Sequence, residues 1–333
     1  MSKPEYTIVI PAFQAATTIS ECINALNAQT VPREQYEVIV VDDGSTDETA
    51  EAAREAGADQ VVTCQHKGPS VTRNTGVEAA NSEIILFTDA DCIPLPTWIE
   101  EITAPFQDRS IDGAKGTYRT QQHTLVARFV QLEYENKYDK MRGRECIDFI
   151  DTYSAAYRRR VFRETGGFDP AFPVAANEDV EFSYRVAQLG HRLVFAPKAV
   201  VYHRHADTIL KYVRRKYHVG FWRVRMYSLH PSKAISDSHT PQSLKLQIAL
   251  MACLLGSLAL AVFQPVLLLI SAALLAAFLA SATPFVIKAF QRDRVVALVV
   301  PFLLLLRALA LGIGFAAGIL WYVLPRKLCS QRA

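Results

Sequence analysis

Two carboxylates separated by a single residue, Asp89 and Asp91, follow directly after the apolar run IILFT. Such a pair at the end of a buried strand cannot lie wholly in the core, so at least one side chain must project into the crevice above the sheet. Carboxylate oxygens suit Mg²⁺ or Mn²⁺, and either ion could bridge them to a diphosphate. The same triplet also serves as a plain turn or helix cap, and by itself it leaves both interpretations open.

A second acidic pair, Asp42 and Asp43, ends another apolar run, EVIVV, and is followed by Gly-Ser-Thr-Asp. Acidic side chains repel phosphate but accept hydrogen bonds from a nucleobase N–H or a ribose hydroxyl. The loop matches neither the GxGxxG fingerprint nor the GxxxxGKS/T phosphate loop, which disfavours a dinucleotide-binding or P-loop protein. Helix capping alone would account for Ser45 and Asp47, but less readily for the pair before them.

A third group begins at Gly166 and Gly167 and continues to Glu178 and Asp179. The glycines allow close backbone approach, and the two acidic residues open a predicted helix whose N-terminus favours negative charge. A carboxylate held there could take a proton from an attacking hydroxyl group. A capping role without chemistry is the alternative.

These groups are embedded in an alternation of short β-branched runs and stretches with helical spacing, such as Ile19, Ile23 and Leu26. The alternation predicts an α/β fold with a mostly parallel, doubly wound sheet that binds its ligand at the carboxyl ends of the strands. The predicted helices cover residues 17–28, 47–56, about 70–80 and 178–189, and later strands lie near 113–119 and 148–157.

The last quarter of the chain has a different composition. Residues 246–324 are almost wholly apolar, and they divide into segments 247–263, 265–287 and 295–324, each close to or beyond the ~20 residues that cross a bilayer. We therefore predict a soluble domain over residues 1–240 and an all-α membrane domain over residues 241–333, with about three transmembrane helices. The last segment carries Arg307 in its middle, and an interfacial piece plus a shorter span is the alternative for it.

Charge and cysteine usage indicate a location. The net charge of +3 is too small for a nucleic-acid-binding protein. Six scattered cysteines and the lack of a signal-peptide core favour a reduced compartment, so the soluble domain is expected in the cytosol, on a multi-pass anchor in the cell (inner) membrane. Under the positive-inside tendency, three spans leave Arg326 and Lys327 on the outer side.

The segment before the apolar quarter is rich in basic and aromatic residues. It suits the anionic lipid of a cytoplasmic leaflet, and a solvated helix is the alternative. Its residues include Lys211, Arg214, Arg215, Lys216, Trp222, Arg223 and Arg225.

The order of the motifs is also informative. The series TIVIPAFQAATTISECINALNAQT, EVIVVDDGSTDETA, GPSVTRNTGVEAANSEIILFTDADC, RRRVFRETGGFD and NEDVEFSYRVAQLG resembles family 2 glycosyltransferases of the GT-A fold over roughly residues 6–205. The resemblance implies a Rossmann-like GT-A catalytic domain and an enzyme of the hexosyltransferase type. It also implies a nucleotide-diphosphate sugar as donor, with uridine the commonest nucleotide of the family.

Roles follow from the resemblance position by position. It implies nucleotide contacts for Pro11, Phe13, Asp43, Arg73 and Asp89. It further implies a divalent metal, Mg²⁺ or Mn²⁺, held by Asp91 with Asp89 and His203, and a catalytic base at Asp179 with Glu178 beside it in the acceptor region.

The implied reaction is a single in-line displacement with inversion, in which one sugar passes to a hydroxyl on a lipid-linked acceptor or a cell-envelope glycan. The chain lacks the QxxRW motif of processive synthases, which favours single-sugar transfer, and it departs from relatives at Ser154-Ala155-Ala156, where many carry Gly-Asn. Two alternatives remain: a polyprenyl-phosphate glycosyltransferase, and a membrane scaffold without turnover.

Overall fold

The computed structural model describes residues 3–322, and Arg326 and Lys327 lie outside the described residues. The described chain forms two compact units. One contains the residues up to Gln121 together with Lys140–Arg204, and the other contains Gln122–Asp139 and the residues from His205 onward.

The first unit is built on a single mixed sheet. Its eight strands are β1 (Tyr6–Ala12), β2 (Tyr36–Asp42), β3 (Gln60–Thr63), β4 (Ile84–Phe87), β5 (Cys92–Pro94), β6 (Ile111–Arg119), β7 (Ala155–Arg158) and β8 (Arg192–His203). They lie in the order β3-β2-β1-β4-β7-β6-β8-β5. The first four are mutually parallel, whereas β7 is antiparallel to both of its neighbours and β5 to β8. The parallel half brings the ends of β1, β2 and β4 to one edge, as the alternation predicts.

Twelve α-helices complete the described residues. In chain order they are α1 (Ile19–Asn27), α2 (Thr49–Glu55), α3 (Pro69–Ala79), α4 (Trp98–Thr103), α5 (Leu125–Met141), α6 (Arg159–Thr165), α7 (Glu178–Gln188), α8 (Ile209–Leu229), α9 (Pro231–Ile235), α10 (Gln242–Leu260), α11 (Leu267–Arg292) and α12 (Arg294–Tyr322).

Local sequence accounts for most of the first unit. The β-branched runs of β1 and β2 are buried, and α3 packs so closely that a Cβ on Gly76 would overlap the side chain of Val9. The predicted helices of this unit match α1, α2, α3 and α7 to within a few residues. The strand predicted over 148–157 is largely wrong, because Thr152–Ser154 form a 3-10 turn and the strand begins only at Ala155.

Side chains elsewhere hold that turn. Thr88 donates its hydroxyl hydrogen to the carbonyl of Tyr153, and the indole of Trp98 donates to Ser154 Oγ at 2.8 Å. The carbonyl of Tyr153 thus accepts a hydrogen bond from a side chain instead of from a neighbouring strand.

The second unit is helical. Three of its helices, α10, α11 and α12, are long and apolar enough to cross a membrane by length and composition, and they correspond to the three predicted segments. They pack with α5 and α8 around a common apolar core that includes Phe129, Tyr212, Phe278 and Leu304.

Candidate functional site

The loop after β2 is held by Asp43. Its carboxylate is buried and accepts hydrogen bonds from the backbone N–H groups of Lys67 and Gly68, at 2.9 and 3.0 Å. Gly68 has a φ of +89°, and a Cβ there would overlap the carbonyl oxygen of Pro173. Asp43 therefore ties the start of α3 to the end of β2 and fixes the shape of this part of the strand-end edge.

An aromatic stack lies beside Asp43. Phe13 is 47% exposed, and its ring stacks on His66 with 4.2 Å between ring centres. His66 Nδ1 lies 3.0 Å from Oδ2 of Asp43. Pro11 lies at the end of β1, in register with Val41 of β2. An exposed ring at a strand end can stack on a planar ligand.

Arg73 joins two motifs that are far apart in the sequence. From α3, Nη1 donates to Oε1 of Glu178 at 2.9 Å, and Nη2 donates to Oδ1 of Asp89 at 3.3 Å. Arg73 is 3% exposed. Burial alone would lower its pKa, but Asp89, Glu178 and Asp179 outweigh burial and raise the pKa. The guanidinium thus stays charged and holds the end of β4 against the start of α7.

Asp91 lies next to His203 because of strand pairing. Cys92, the first residue of β5, pairs in register with His203 at the end of β8, and Oδ1 of Asp91 is 3.6 Å from His203 Nε2. The ligand atoms of Asp91, Cys92 and His203 all lie within 4.8 Å of one another. The Asp89 carboxylate instead contacts Arg73.

The donor set fits a divalent metal of intermediate hardness. A carboxylate and an imidazole are suitable ligands for Mn²⁺, and a carboxylate with water suits Mg²⁺. Cys92, which the sequence did not point to, is buried, and burial followed by the charges of Asp89 and Asp91 raises the pKa of its thiol well above the usual value. A neutral thiol is a poor ligand, so Asp91 and His203 are the pair that fits the metal.

The Glu178-Asp179 pair opens α7, as predicted from the sequence. Asn177 precedes it with a φ of +81°. Asp179 is half-buried, and its Oδ1 accepts a hydrogen bond from the N–H of Val180 at 2.8 Å. Burial, the charge of Glu178 and the charge of Asp151 raise the pKa of Asp179. A carboxyl group with a raised pKa is a stronger base once ionised, which suits proton abstraction near neutral pH.

Sequence reasoning missed a buried ion pair near Asp179. Lys115 of β6 and Asp151 are 1% and 2% exposed and form a salt bridge, and Tyr153 donates its phenol hydrogen to the same carboxylate. Lys115 Nζ also lies 5.1 Å from the ring centre of Phe149. The available signal was a lysine inside the strand-like run GAKGTY, because buried charges occur only when paired or functional.

Rings connect this pair to the metal-binding candidates. Tyr118 lies 4.1 Å from Tyr153 and 5.5 Å from His203 between ring centres, and Tyr153 lies 5.7 Å from His203. His203 therefore packs against both tyrosine rings, which orients its imidazole.

The chain is similar in sequence to known enzymes of one family. Residues 7–166 match the model of "Glycosyl transferase family 2". The chain is 27% identical over 234 residues to glycosyltransferase AglE of Haloferax volcanii, covering 68% of this chain and 75% of that protein. It is 26% identical over 242 residues to a pre-mycofactocin glycosyltransferase of Mycobacterium tuberculosis, covering 70% of this chain but only 49% of the relative.

The fold also has a solved counterpart. The mannosyltransferase PcManGT from Pyrobaculum calidifontis, solved in complex with GDP-Man and Mn²⁺, superposes with a TM-score of 0.61 at 20% identity, covering 96% of this chain and 88% of that one. This likeness establishes the fold, which is Rossmann-like GT-A. The chain therefore carries a family 2 glycosyltransferase domain over residues 7–166, and it is a glycosyltransferase.

Proposed function

We propose that the chain transfers one sugar, with inversion, from a nucleotide-diphosphate sugar to a hydroxyl group of a lipid-linked or cell-envelope glycan acceptor. The observation that carries the proposal is the contact of Arg73 with both Asp89 and Glu178. That contact brings the acidic triplet and the acidic helix start to one edge of the sheet, where donor and acceptor must meet.

The donor nucleotide would lie over the ends of β1 and β2. Phe13 offers an exposed ring for base stacking, Pro11 lies beside it, and Asp43 offers carboxylate oxygens for a base N–H. Arg73 and Asp89 extend this surface toward the ribose and diphosphate. Uridine is the family's commonest nucleoside, whereas PcManGT was solved with GDP-Man, so both uridine and guanosine nucleotides belong in the test.

Asp91 and His203 would hold a divalent metal, with Asp89 near it. Bound there, Mg²⁺ or Mn²⁺ would neutralise the negative charge that develops on the departing diphosphate. The tyrosine rings around His203 keep its imidazole in one orientation, and the strand pairing of Cys92 keeps Asp91 next to it.

Asp179 would accept the proton of the acceptor hydroxyl. Its raised pKa makes the carboxylate basic, and the helix start at Glu178 fixes its position. The carboxylate of Glu178 is engaged by the guanidinium of Arg73 at 2.9 Å, so Asp179 is the neighbouring carboxyl group that would take up the proton. No covalent intermediate is required, because a single in-line displacement inverts the anomeric centre.

A polyprenyl-phosphate acceptor is the second candidate, and the three apolar helices favour it, because a membrane anchor raises the local concentration of a lipid acceptor. A phosphate acceptor needs no base, however, so the environment of Asp179 favours a hydroxyl. For either acceptor, the catalytic residues would face the cytosol, where nucleotide sugars are made, and length and composition favour a multi-pass anchor in the cell membrane.

The first test is thermal shift of the detergent-purified protein with UDP-, GDP- and dTDP-sugars, with and without Mn²⁺. We expect a metal-dependent rise in Tm for one nucleotide class. Product analysis by NMR then reports the anomeric configuration, with lipid phosphates and lipid-linked sugars as parallel acceptors. Retention of configuration would exclude the proposed displacement, and transfer only to phosphate would select the second candidate.

A further inference from the structure

His66 contacts the same two side chains that would receive the donor nucleobase. Its ring stacks on Phe13, with 4.2 Å between ring centres and 26° between ring planes. Its Nδ1 lies 3.0 Å from Oδ2 of Asp43 and 3.2 Å from the backbone carbonyl oxygen of the same residue. One imidazole thus engages both the aromatic ring and the carboxylate at this part of the sheet edge.

The position of Nδ1 identifies which ring nitrogen of His66 carries hydrogen. Both of its neighbours on Asp43 are acceptors, because a carboxylate oxygen and a carbonyl oxygen have no hydrogen to donate. Nδ1 is therefore the donor. A flat ring whose N–H donates to a carboxylate has the same pattern as uracil with N3–H or guanine with N1–H. His66 therefore makes the contacts of a nucleobase with a side chain of the protein.

The carboxylate of Asp43 is nearly closed to any other donor. Its side chain is 6% exposed. Oδ1 accepts from the N–H of Lys67 and Oδ2 from the N–H of Gly68, while the His66 imidazole also covers Oδ2. A base N–H can bond to a carboxylate so covered only after one of these three groups moves away.

Two of the three groups are fixed by the backbone. The N–H groups of Lys67 and Gly68 lie at the start of α3, where Gly68 has a φ of +89° and packs directly on the carbonyl of Pro173. The His66 imidazole is 59% exposed. Rotation about its side-chain bonds would carry it into solvent without moving the backbone. His66 is therefore the group that an incoming base would displace.

Phe13, by contrast, lies on a loop that is tied down. The next residue, Gln14, has a φ of +52° and donates its backbone N–H to Ser45 Oγ at 2.9 Å. Its side-chain amide donates to Thr46 Oγ1 at 2.8 Å. These bonds join the loop after β1 to the loop after β2. The backbone at Phe13 and at Asp43 therefore keeps its spacing when the imidazole leaves.

We propose that His66 competes with the donor nucleobase for Phe13 and Asp43 and so sets the affinity for the nucleotide. This rests on the proposed function, in which the base lies over the ends of β1 and β2. The base would stack on Phe13 in place of the imidazole, and its ring N–H would donate to Asp43 in place of Nδ1–H. Uracil, thymine and guanine all carry such a ring N–H.

The competition weakens the binding of donor and product alike, because the nucleotide sugar and the departing nucleoside diphosphate carry the same base. The observed affinity is the intrinsic affinity multiplied by the fraction of molecules in which the imidazole has moved away. A hydrogen bond and a ring stack keep that fraction low. His66 therefore assists release of the nucleoside diphosphate after each transfer.

The test is titration calorimetry of UDP, GDP and dTDP, at constant Mn²⁺, against the detergent-purified wild type and His66→Ala. The variant frees Phe13 and Asp43, so we expect it to bind the preferred nucleotide about 10-fold more tightly. Gln65→Ala is the matched control, because it removes the neighbouring exposed side chain of the same loop and should leave the affinity unchanged. Weaker or unchanged binding by His66→Ala would overturn the competition.

NMR of protein labelled with ¹³C-histidine provides a second readout. The His66 signal, identified by its absence in His66→Ala, should carry an upfield ring-current shift from Phe13 and lose it when the nucleotide binds. A larger upfield shift on binding would mean that the base stacks on the imidazole, which contradicts displacement. If neither protein bound any of the nucleotides, the proposed function and the competition would fail together, whereas equal affinities would remove the competition alone.

Discussion

Each unit buries an arginine in an ion cluster, but the balance of charge is opposite. In the first unit, Arg73 faces two carboxylates, Asp89 and Glu178, so negative charge is in excess. In the second unit, Arg307 shares the single carboxylate of Glu133 with Lys216, so positive charge is in excess.

The two clusters shift the pKa values of their carboxyl groups in opposite directions. Burial and the charges of Glu178 and Asp151 raise the pKa of Asp179. Burial would also raise the pKa of Glu133, but Lys216 and Arg307 outweigh it and lower the value to about 2. A carboxyl group with a raised pKa can exchange a proton near neutral pH, whereas one with a lowered pKa is a permanent anion. The sign of the uncompensated charge thus distinguishes a cluster suited to catalysis from one suited to holding helices together.

The largest effect is expected for Asp179→Asn, which removes the proposed base and keeps the side-chain shape. Transfer should fall by about 10²- to 10⁴-fold, while the donor-induced rise in Tm is retained. The variant should also be more stable than wild type by about 1 kcal/mol at neutral pH, because the charged form of Asp179 is unfavourable in the folded state. Because folding raises the pKa of Asp179, ionisation of this residue destabilises the folded wild-type protein as pH rises. The advantage of Asp179→Asn should therefore vanish toward pH 4.

The measurements are initial rates and melting curves at several pH values, with Asp108→Asn, an exposed aspartate just before β6, as the matched control. Undiminished transfer by Asp179→Asn would exclude it as the base and would make the first cluster structural like the second.

The second unit should show the reverse pattern. Glu133→Gln leaves Lys216 and Arg307 without their shared carboxylate and should cost about 3 kcal/mol of stability, with catalysis per folded molecule little changed. Because folding lowers the pKa of Glu133, its stabilisation is present above pH ~4.5 and is lost as pH falls toward 2. The measurement is thermal unfolding in detergent between pH 3 and 7.

Glu135→Gln is the matched control, because it lies on the same helix and pairs with Arg292 at a partly exposed position, where less than about 1 kcal/mol is expected. Equal losses of stability for the two variants would mean that the Glu133 cluster stabilises the fold no more than an exposed ion pair does.

The contrast between the units also shows what could be read from the sequence. The strand ends that carry Asp43, Asp89 and Asp91 follow from apolar runs of a few residues, and the start of α7 follows from its local acidic pair, so these elements were predicted. The two arginine clusters were not, because Arg73 and Glu178 are 105 residues apart and Glu133 and Arg307 are 174 apart. Local periodicity carries no information about pairings of that range. The three apolar segments were likewise recognised, but not the helices that cover one of them.

Asp91→Ala removes one proposed metal ligand and keeps Arg73, Asp89 and Glu178 in place. The Mn²⁺-dependent part of donor binding should weaken by about 10- to 100-fold, and His203→Ala should have a similar or smaller effect. Titration calorimetry of the donor with and without Mn²⁺ measures both. Asp108→Asn again serves as the control. Equal donor affinity with and without metal in the wild type would remove the metal from the proposed site.

The smallest effect is a shift in pH dependence. Asp151→Asn removes a negative charge near Asp179 and leaves the cation of Lys115 unneutralised, and both changes lower the pKa of Asp179. Transfer depends on ionised Asp179, so it is lost as pH falls through that pKa, and the acidic limb of the rate profile should move to lower pH. Lys115→Met, which leaves the Asp151 charge unneutralised, should move the limb to higher pH. If the Lys115–Asp151 pair were purely structural, both variants would lower stability, and the acidic limb of the rate profile would not move in opposite directions. The direction of the two shifts therefore shows whether this buried pair sets the basicity of Asp179.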